Sequence, residues 1–220
     1  MPLAARLALQ KTGEVLFLEK QDFLYDSIAS HPDIFFCQIN NQLVVADNIP
    51  EHWENWLQKN GIQYIKGKKE LGKKYPETAL YNAVATSEFF LHNLKYTDQS
   101  VMDLAGRLNK IHVNQAYTRC NLISLNENSF LTSDRGIEKQ LLLIGKKVLF
   151  ILPDQILLSG QAYGFIGGCC GIFENVLYVC GSIQFLKEAK EIKNFADNCS
   201  VVIKELYDGP LTDVGSMMFI

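Results

Sequence analysis

Short runs of β-forming residues, each followed by a polar residue or a glycine, recur along the chain and predict a repeated structural unit. The run before Asp134 is Phe130–Ser133, and the turn-forming residue Asn128 stands six positions before Asp134. The same arrangement, with a turn-forming residue six positions earlier, precedes Glu19, Asp47, Asn93 and Gly181. A turn residue followed by a β-forming run is typical of the second half of a β-hairpin. We therefore predict five hairpins, and we call the five residues that end the runs the register positions.

Apolar residues at helical spacing come after the hairpins, and a further apolar segment comes after most of the helices. A spacing of three or four residues places apolar side chains on one face of a helix. The predicted helical stripes run from Phe23 to Ile28, Trp53 to Leu57, Val101 to Leu108, Ile137 to Ile144 and Ile183 to Ile192. The predicted first strands are Arg6–Leu9, Ile34–Ile39, Asn82–Thr86, Cys120–Leu125 and Gly168–Phe173, and the closing strands are Ile62–Ile65, Lys110–Val113, Lys147–Leu152 and Ser200–Leu206. The unit is therefore β-β-α-β.

The two ends of the chain carry incomplete units. The first unit has no closing strand before Ile34, and the β-forming segment Val214–Ile220 belongs to no other unit. If this last strand completes the first unit, the five units close into a ring, and closure removes the free sheet edges that favour aggregation. We predict an α/β fold in a single domain of residues 1–220. It would be a five-bladed β-β-α-β propeller with pseudo-fivefold symmetry, closed by the N- and C-terminal strands.

Composition and charge narrow the function classes. The chain has 220 residues, 48% of them hydrophobic, and a formal net charge of -3. Such a chain is not expected to bind DNA, and its nearest basic stretch, Lys66–Lys69 with Lys73 and Lys74, is interpreted as a solvated loop. No apolar run reaches the roughly 18 residues that predict a membrane-spanning helix, and the apolar N-terminal stretch lacks the layout of a signal peptide. We expect a cytoplasmic protein without a membrane partner.

The cysteine and glycine patterns do not predict a metal or cofactor site. Six cysteines are present without a Cys-x-x-Cys pair or a histidine at metal-ligand spacing. The glycine-rich stretch Gly164–Gly171 matches neither common phosphate-binding pattern and leads into a predicted strand. Tight turns and close packing are the better interpretation of it. We predict no cofactor and no metal.

Several local segments resemble those of one fold family. They are Cys120-Asn121, Thr132-Ser133-Asp134 with Gly136-Ile137, Gly164–Gly168 and Asp208–Ser216. Together with the five predicted units, they make the chain resemble the pentein, or guanidino-group-modifying-enzyme, fold, and within it an uncharacterised bacterial family. The resemblance implies an α/β propeller with its ligand site at a central channel. For active members it implies a cysteine nucleophile, a histidine acid/base and carboxylates that hold the substrate cation.

This chain departs from the catalytic pattern of the family in two places. The segment that matches the nucleophile strand, Gly215–Met218, has no cysteine, and Gly181–Gln184 has no histidine paired with a carboxylate. Ordinary guanidino-hydrolase catalysis is therefore not expected. If the protein is an enzyme, it is at most an amidinohydrolase- or amidinotransferase-like cysteine enzyme, with Cys120 as nucleophile, His92 as acid/base and Asp134 or Asp47 as substrate clamp. The alternative is that Cys120 is a packed, half-buried strand residue.

The register positions supply the predicted ligand site. Around a central channel, Glu19, Asp47 and Asn93 would lie at one mouth, and the loop with Asp208 and Asp213 would overhang it. Carboxylates gathered at a channel mouth attract cations, so we predict a small cationic ligand, a guanidino or amino compound. The alternative for the aspartates at register positions is that each caps the helix after its strand.

A second class of function stays open at this point. The compact organisation of the chain is similar to the ribosome anti-association translation initiation factor of the pentein fold, which is a binder and not an enzyme. The alternative prediction is therefore a non-catalytic interaction module whose partner is a protein or the ribosome.

Overall fold

The structure is a computed structural model that describes residues 1–220. The chain forms two compact units, and each is described by itself. We call residues 1–17 and 119–219 the terminal unit and residues 18–118 the middle unit, with which residue 220 groups. None of the helices has the length and hydrophobicity needed to cross a lipid bilayer.

The regular elements are seven α-helices and twelve β-strands. The helices are α1 (Leu3–Leu9), α2 (Pro32–Phe35), α3 (Glu51–Lys59), α4 (Gln99–Ala105), α5 (Thr118–Asn121), α6 (Arg135–Leu143) and α7 (Ala189–Asn198). The strands are β1 (Phe36–Ile39), β2 (Gln42–Val45), β3 (Tyr64–Lys66), β4 (Val84–Ala85), β5 (Phe89–His92), β6 (Asn109–His112), β7 (Leu122–Asn126), β8 (Ser129–Thr132), β9 (Lys147–Phe150), β10 (Cys170–Phe173), β11 (Val176–Val179) and β12 (Val202–Glu205).

The strands form four three-stranded sheets that share one connectivity. In each sheet an antiparallel hairpin is followed by a helical segment and then by a strand parallel to the second hairpin strand. The sheets β1-β2-β3 and β4-β5-β6 lie in the middle unit, and the sheets β7-β8-β9 and β10-β11-β12 lie in the terminal unit. This is the β-β-α-β unit that the hydrophobic pattern predicts for these four parts of the chain.

The hairpin turns explain the polar residue six positions before the register position. Asn40 and Asn41 have φ values of 49° and 62°, and Glu174 and Asn175 have φ values of 47° and 60°. Two successive left-handed residues make the turn that matches the twist of a two-residue hairpin. Asparagine tolerates this conformation better than most side chains because its short amide can hydrogen-bond locally.

Capping residues define the ends of helix α6 and differ from the prediction at helix α3. Asp134 is the N-cap of α6, where its Oδ1 accepts a hydrogen bond from the Ile137 amide at 2.8 Å, and Gly145 comes after the helix with φ of 78°. The capping alternative is therefore confirmed for Asp134. It is wrong for Asp47, because α3 has Pro50 at its N-cap and no side-chain cap, and Asp47 is exposed.

Each unit has its own apolar core. In the middle unit Trp53 is fully buried and meets the Phe35 ring edge-on, with the ring centroids 4.9 Å apart. In the terminal unit, buried residues of β7, β8, β10 and β11 pack with Ile192 and Ala196 of α7. These side chains occur at the alternating and helical spacings from which the elements were predicted.

The predicted first unit and its closing strand do not form a sheet. The segment Arg6–Leu9, predicted as a strand, belongs to helix α1, since the alanine- and leucine-rich sequence there has high helix propensity. The segment Val214–Ile220, predicted as a strand, has no regular structure, although the Met217 amide donates to the Cys170 carbonyl beside β10 at 3.0 Å. The five-bladed arrangement is therefore not confirmed, and what stands is a mixed α/β fold with four sheets.

Two predicted helices also differ from the structure. Residues 23–28 form turns, and the stripe from Ile183 to Ile192 divides into a 3-10 turn at Ile183–Phe185 and helix α7, which begins at Ala189. Ser182 caps the start of this short turn, because its side chain accepts a hydrogen bond from the Gln184 amide.

Candidate functional site

A groove of about 770 Å³ lies on the middle unit. It is formed by Phe23, Asn48 and the loop of residues 70–77, which belongs to the connection between β3 and β4. Binding sites for small molecules typically have volumes of roughly 300–1,000 Å³ and combine apolar walls with a few polar groups. The groove fits this description.

Asn48 holds the loop that forms the groove. Its Oδ1 accepts a hydrogen bond from the Leu71 amide at 2.9 Å, and its Nδ2 donates to the Leu71 carbonyl at 3.1 Å. Asn48 comes directly after the register position Asp47 at the end of β2, so the sheet fixes its place. Because both backbone groups of Leu71 are paired and its side chain is buried, the middle of the loop is anchored to the sheet.

The start of the loop is anchored by two other buried side chains. The carboxylate of Asp98 accepts hydrogen bonds from the Lys68 amide, at 3.3 and 3.2 Å, and from the Ser100 amide at 2.7 Å. The Tyr81 hydroxyl donates to the Lys69 carbonyl, and burial raises the pKa of this tyrosine above its usual value. The backbone is therefore anchored on both sides of Glu70, at Lys68 and Lys69 before it and at Leu71 after it.

A glycine brings a carboxylate to the groove. A Cβ added at Gly72 would lie 2.0 Å from Oε2 and 2.6 Å from Cβ of Glu77, so the Glu77 side chain lies against the loop backbone at Gly72. The Gly72 amide also donates to the Glu77 carbonyl at 3.3 Å. Any other residue at position 72 would displace Glu77.

Four charged side chains line the groove without an ion-pair partner. They are Glu70, Lys73, Lys74 and Glu77. Two lysines before the groove loop are paired, Lys66 at the end of β3 with Glu54 and Lys68 with Asp103, whose pKa is lowered chiefly by its hydrogen bond to Lys68. Charges left unpaired beside apolar walls are available to a ligand.

Tyr75 forms the aromatic wall of the groove and is itself supported by other tyrosines. It is 49% exposed, and its ring centroid lies 5.6 Å from that of Tyr117 and 6.3 Å from that of Tyr96. The hydroxyls of Tyr117 and Tyr25 are 2.6 Å apart, and the Tyr117 hydroxyl also hydrogen-bonds Thr78. One ring of this cluster is therefore presented to solvent while the others hold it in place.

The predicted catalytic residues His92 and Cys120 are both buried. Nδ1 of His92 lies 2.7 Å from Oγ1 of Thr97, and Nε2 lies 2.8 Å from the Ala116 carbonyl, to which it donates. Burial lowers the pKa of His92 to about 4, so the ring is neutral near pH 7. In this conformation neither ring nitrogen is open to a substrate.

Cys120 is 4% exposed. The predicted strand that begins at Cys120 starts at Leu122 instead, and Cys120 lies in the short helix α5. Cys120 belongs to the terminal unit and His92 to the middle unit. The roles assigned to Cys120, His92 and Asp134 stay predictions, and Asp134 serves its helix as a cap.

The register positions of the middle unit differ in their hydrogen-bond partners and in their exposure to solvent. Glu19 accepts hydrogen bonds from Nε1 of Trp53 at 2.7 Å and from Nε2 of His52 at 3.1 Å, and the bond from Trp53 is the main reason that its pKa is lowered. Asn93 donates to the Asn114 carbonyl at 2.8 Å and accepts from the Lys95 amide at 3.3 Å. Asp47 is exposed. The polar atoms of Glu19 and Asn93 are thus used in local bonds.

In the terminal unit, Asp213 organises the glycine-rich stretch. Its carboxylate accepts hydrogen bonds from the amides of Phe165, at 2.9 Å, and Gly215, at 3.0 Å. A Cβ added at Gly168 would lie 2.0 Å from Asp213 Oδ1, so only glycine fits there. Close packing is therefore confirmed as the reason for this glycine-rich sequence. Asp208, the other predicted ligand residue of this loop, is exposed.

Three other buried cysteines of the terminal unit, Cys169, Cys170 and Cys180, are poor nucleophiles. Burial raises the pKa of the Cys170 and Cys180 thiols to about 12, and it raises that of Cys169 as well. A thiol with so high a pKa is protonated near neutral pH, and the thiolate is the reactive form. No group of three or more histidine, cysteine or acidic side chains is arranged to hold a metal ion.

The sequence interpretation missed the groove. It treated Lys73 and Lys74 as part of a solvated loop, and it gave no role to Glu70, Tyr75 or Glu77. The available signal was local: two lysines, two glutamates, a tyrosine and a proline fall within eight residues, 70–77, with Gly72 among them. The sequence does not indicate that Asn48 and Phe23 complete the walls.

Comparison with known proteins gives two similar structures and one sequence family. The chain is similar to DDAH from Pseudomonas aeruginosa, solved as a mutant complexed with citrulline, with 10% identity, a TM-score of 0.44, and coverage of 79% of this chain and 69% of that one. It is also similar to SxtG, an amidinotransferase from Microseira wollei in the saxitoxin biosynthetic pathway, with 12% identity, a TM-score of 0.44, and coverage of 85% of this chain and 65% of that one.

Both are likenesses of structure at low sequence identity. No curated protein matches the sequence. A family model matches residues 2–218, and the chain therefore belongs to the family of unknown function DUF6873.

Proposed function

We propose that the protein binds a small ligand with a guanidino or amino cation in the groove of the middle unit, and that it does so without ordinary guanidino-hydrolase catalysis. The observation that carries the proposal is that two carboxylates without an ion-pair partner, Glu70 and Glu77, line the groove together with the exposed ring of Tyr75. The ligand class is the one expected from the sequence. The proposed location is the groove and not the mouth of a channel.

The chemistry of these side chains suits such a cation. A guanidinium group offers planar donors that match a carboxylate, and hydrogen bonds to charged groups contribute roughly 1.5–3 kcal/mol. The face of an aromatic ring such as that of Tyr75 attracts a cation by about 0.5–1 kcal/mol at an exposed site. Gly72 supports the proposal further, because it is the residue that allows Glu77 to lie against the loop.

Binding without turnover is the proposal because of how the predicted catalytic groups are held. A general base needs contact with the proton that it removes, directly or through one water. His92 uses both nitrogens in local contacts, and the Cys120 side chain is buried. By contrast, the four charged residues of the groove are exposed.

The proposal is tested by isothermal titration calorimetry with butylguanidine and butylamine. We expect saturable binding of at least one of these cations. The isosteric change Glu77→Gln should weaken it about tenfold, or ~1.4 kcal/mol, because it removes the charge and keeps the shape. Glu51→Gln is the matched control, since Glu51 is an exposed carboxylate of the same unit outside the groove.

Two results would contradict the proposal. One is the absence of binding by any guanidino or amino compound, including those that also carry an acidic group. The other is an equal loss of affinity in Glu77→Gln and Glu51→Gln, which would mean that the cation responds to the overall charge of the protein and not to the groove.

A further inference from the structure

The lysines of the groove have no ion-pair partner, whereas two lysines that come before the groove loop are paired. Lys66 is paired with Glu54, and the Nζ atom of Lys68 lies 2.8 Å from the carboxylate of Asp103. Lys73 and Lys74 form no ion pair, although Glu70 and Glu77 line the same groove. The Nζ atoms of both lysines therefore lie more than 4.0 Å from the carboxylate oxygens of both glutamates.

The formal charge of the groove comes from these four residues. Lys73 and Lys74 contribute +2, and Glu70 and Glu77 contribute -2, so their sum is zero. A ligand that is only a cation would be attracted by the carboxylates and repelled by the lysines, with little net gain from long-range electrostatics. A ligand with both charges would pair with both sets of side chains.

We infer that the ligand is dipolar, with an anionic oxygen group, a carboxylate or a phosphate, that binds to Lys73 and Lys74 while its cation binds to Glu77 and Glu70. The inference rests on the proposed function, because it assigns the second half of the ligand in the same groove. A lysine ammonium is a compact point charge with three donors, which suits either anion.

The size of the groove agrees with a ligand of this kind. A volume of about 770 Å³ accommodates a small molecule whose two charged groups are joined by several carbon atoms. The apolar surfaces of Phe23 and Tyr75, which also line the groove, would contact such a linker. The groove thus has side chains that can bind the cation, the apolar linker and the anion of such a ligand.

Matched ligand pairs test the inference. Butylguanidine is compared with 4-guanidinobutanoate, which has a carboxylate in place of the terminal methyl group. Propylamine is compared with 3-aminopropylphosphonate, which adds a phosphonate as the stand-in for a phosphate. We expect the dipolar member of at least one pair to bind at least tenfold more tightly than the cation alone. The pair that shows the larger gain identifies which anion the lysines prefer.

The variant Lys73→Gln/Lys74→Gln assigns the gain to the lysines. In this variant the dipolar ligand should lose its tenfold advantage, while the affinity for the simple cation is unchanged or higher. Lys69→Gln is the matched control, because Lys69 lies in the same connection, is exposed, and does not line the groove. It should keep the full advantage. Thermal melting of all variants verifies that they are folded.

The outcomes separate the two proposals. If the cations bind and their dipolar partners bind no better, the inference is overturned and the proposed function stands. If the advantage persists in the double lysine variant, the anion binds elsewhere and the inference is again overturned. If no member of either pair binds, the proposed function fails together with the inference. A gain that is lost only in the lysine variant supports both.

Discussion

The side chain of Glu77 lies against the loop backbone at Gly72, where an added Cβ would come within 2.0 Å of the carboxylate. A residue without a side chain therefore sets the position of a charged one. Asn48 acts in the same way from the sheet, because its amide group holds both backbone groups of Leu71. The candidate site is built from such single-residue contacts more than from regular structure.

His92 gives a prediction at this scale. Its pKa in the folded protein is about 4, below the value of about 6.5 for an unperturbed histidine. Between these values the unfolded state binds a proton that the folded state does not, so the stability supplied by neutral His92 is complete above pH 6.5 and is lost as the pH falls toward 4. From pH 6.5 to 5 this amounts to ~2 kcal/mol of the free energy of unfolding.

The measurement is an NMR titration of the histidine ring signals together with urea unfolding at pH 7 and pH 5. The ring signals of His92 should stay constant from pH 7 to pH 5 in the folded protein, and unfolding should occur at a lower urea concentration at pH 5. A midpoint for His92 near pH 6.5 would contradict the prediction, since it would show that the ring is protonated in the folded state.

At the scale of elements, the register positions show how one sequence pattern serves different ends. Asp134 caps α6, Asp47 is exposed, and Gly181 has φ of 136° where an added Cβ would meet the Leu211 backbone at 2.7 Å. In each sheet the register position lies one or two residues after the second strand. The segment after that position differs from sheet to sheet, and the side chain takes its role from that segment.

The two aspartates are a matched pair for testing the cap. Asp134→Ala should lower the free energy of unfolding by about 1 kcal/mol, because the Ile137 amide loses its acceptor at the start of α6. Asp47→Ala should change it by less than about 0.5 kcal/mol, as is usual for exposed residues without such a bond. Chemical denaturation measures both, and equal losses would contradict the assignment of Asp134 as the cap.

The elements themselves were largely predictable from the sequence. The hairpins and the closing strands of the four sheets are predicted by alternating apolar residues and by Asn41 and Asn175, which adopt the turn conformation that asparagine favours. Arg6–Leu9 was assigned wrongly, because a short apolar run fits a strand or a buried helix equally well. The 3-10 turn at Ile183–Phe185 was missed because apolar residues at helical spacing predict a continuous helix equally well.

At the scale of the whole molecule, the sequence predicts a single domain of residues 1–220. A single domain unfolds in one cooperative transition, with the calorimetric enthalpy equal to the van't Hoff enthalpy. Differential scanning calorimetry should therefore give one such transition. Two resolved transitions, each from one of the compact units, would contradict the single-domain prediction.

The interaction-module alternative and the cytoplasmic location also concern the whole molecule, and both stay predictions.

The groove could not be predicted from a local pattern, because its parts come from distant positions in one unit. Phe23, Asn48 and residues 70–77 are separated by more than twenty residues at each step. Their meeting depends on how the loop is anchored to Asn48 and Asp98.

Local sequence was enough to specify the repeated β-β-α-β unit and the family resemblance, because strand alternation, helical spacing and turn residues act over a few neighbours. The folded chain was needed to show which charged residues are open to a ligand. His92 and Cys120 were predicted to react and are buried, whereas the two lysines and two glutamates of the groove are exposed and unpaired. Burial and pairing depend on contacts between residues far apart in the chain, and no local pattern records them.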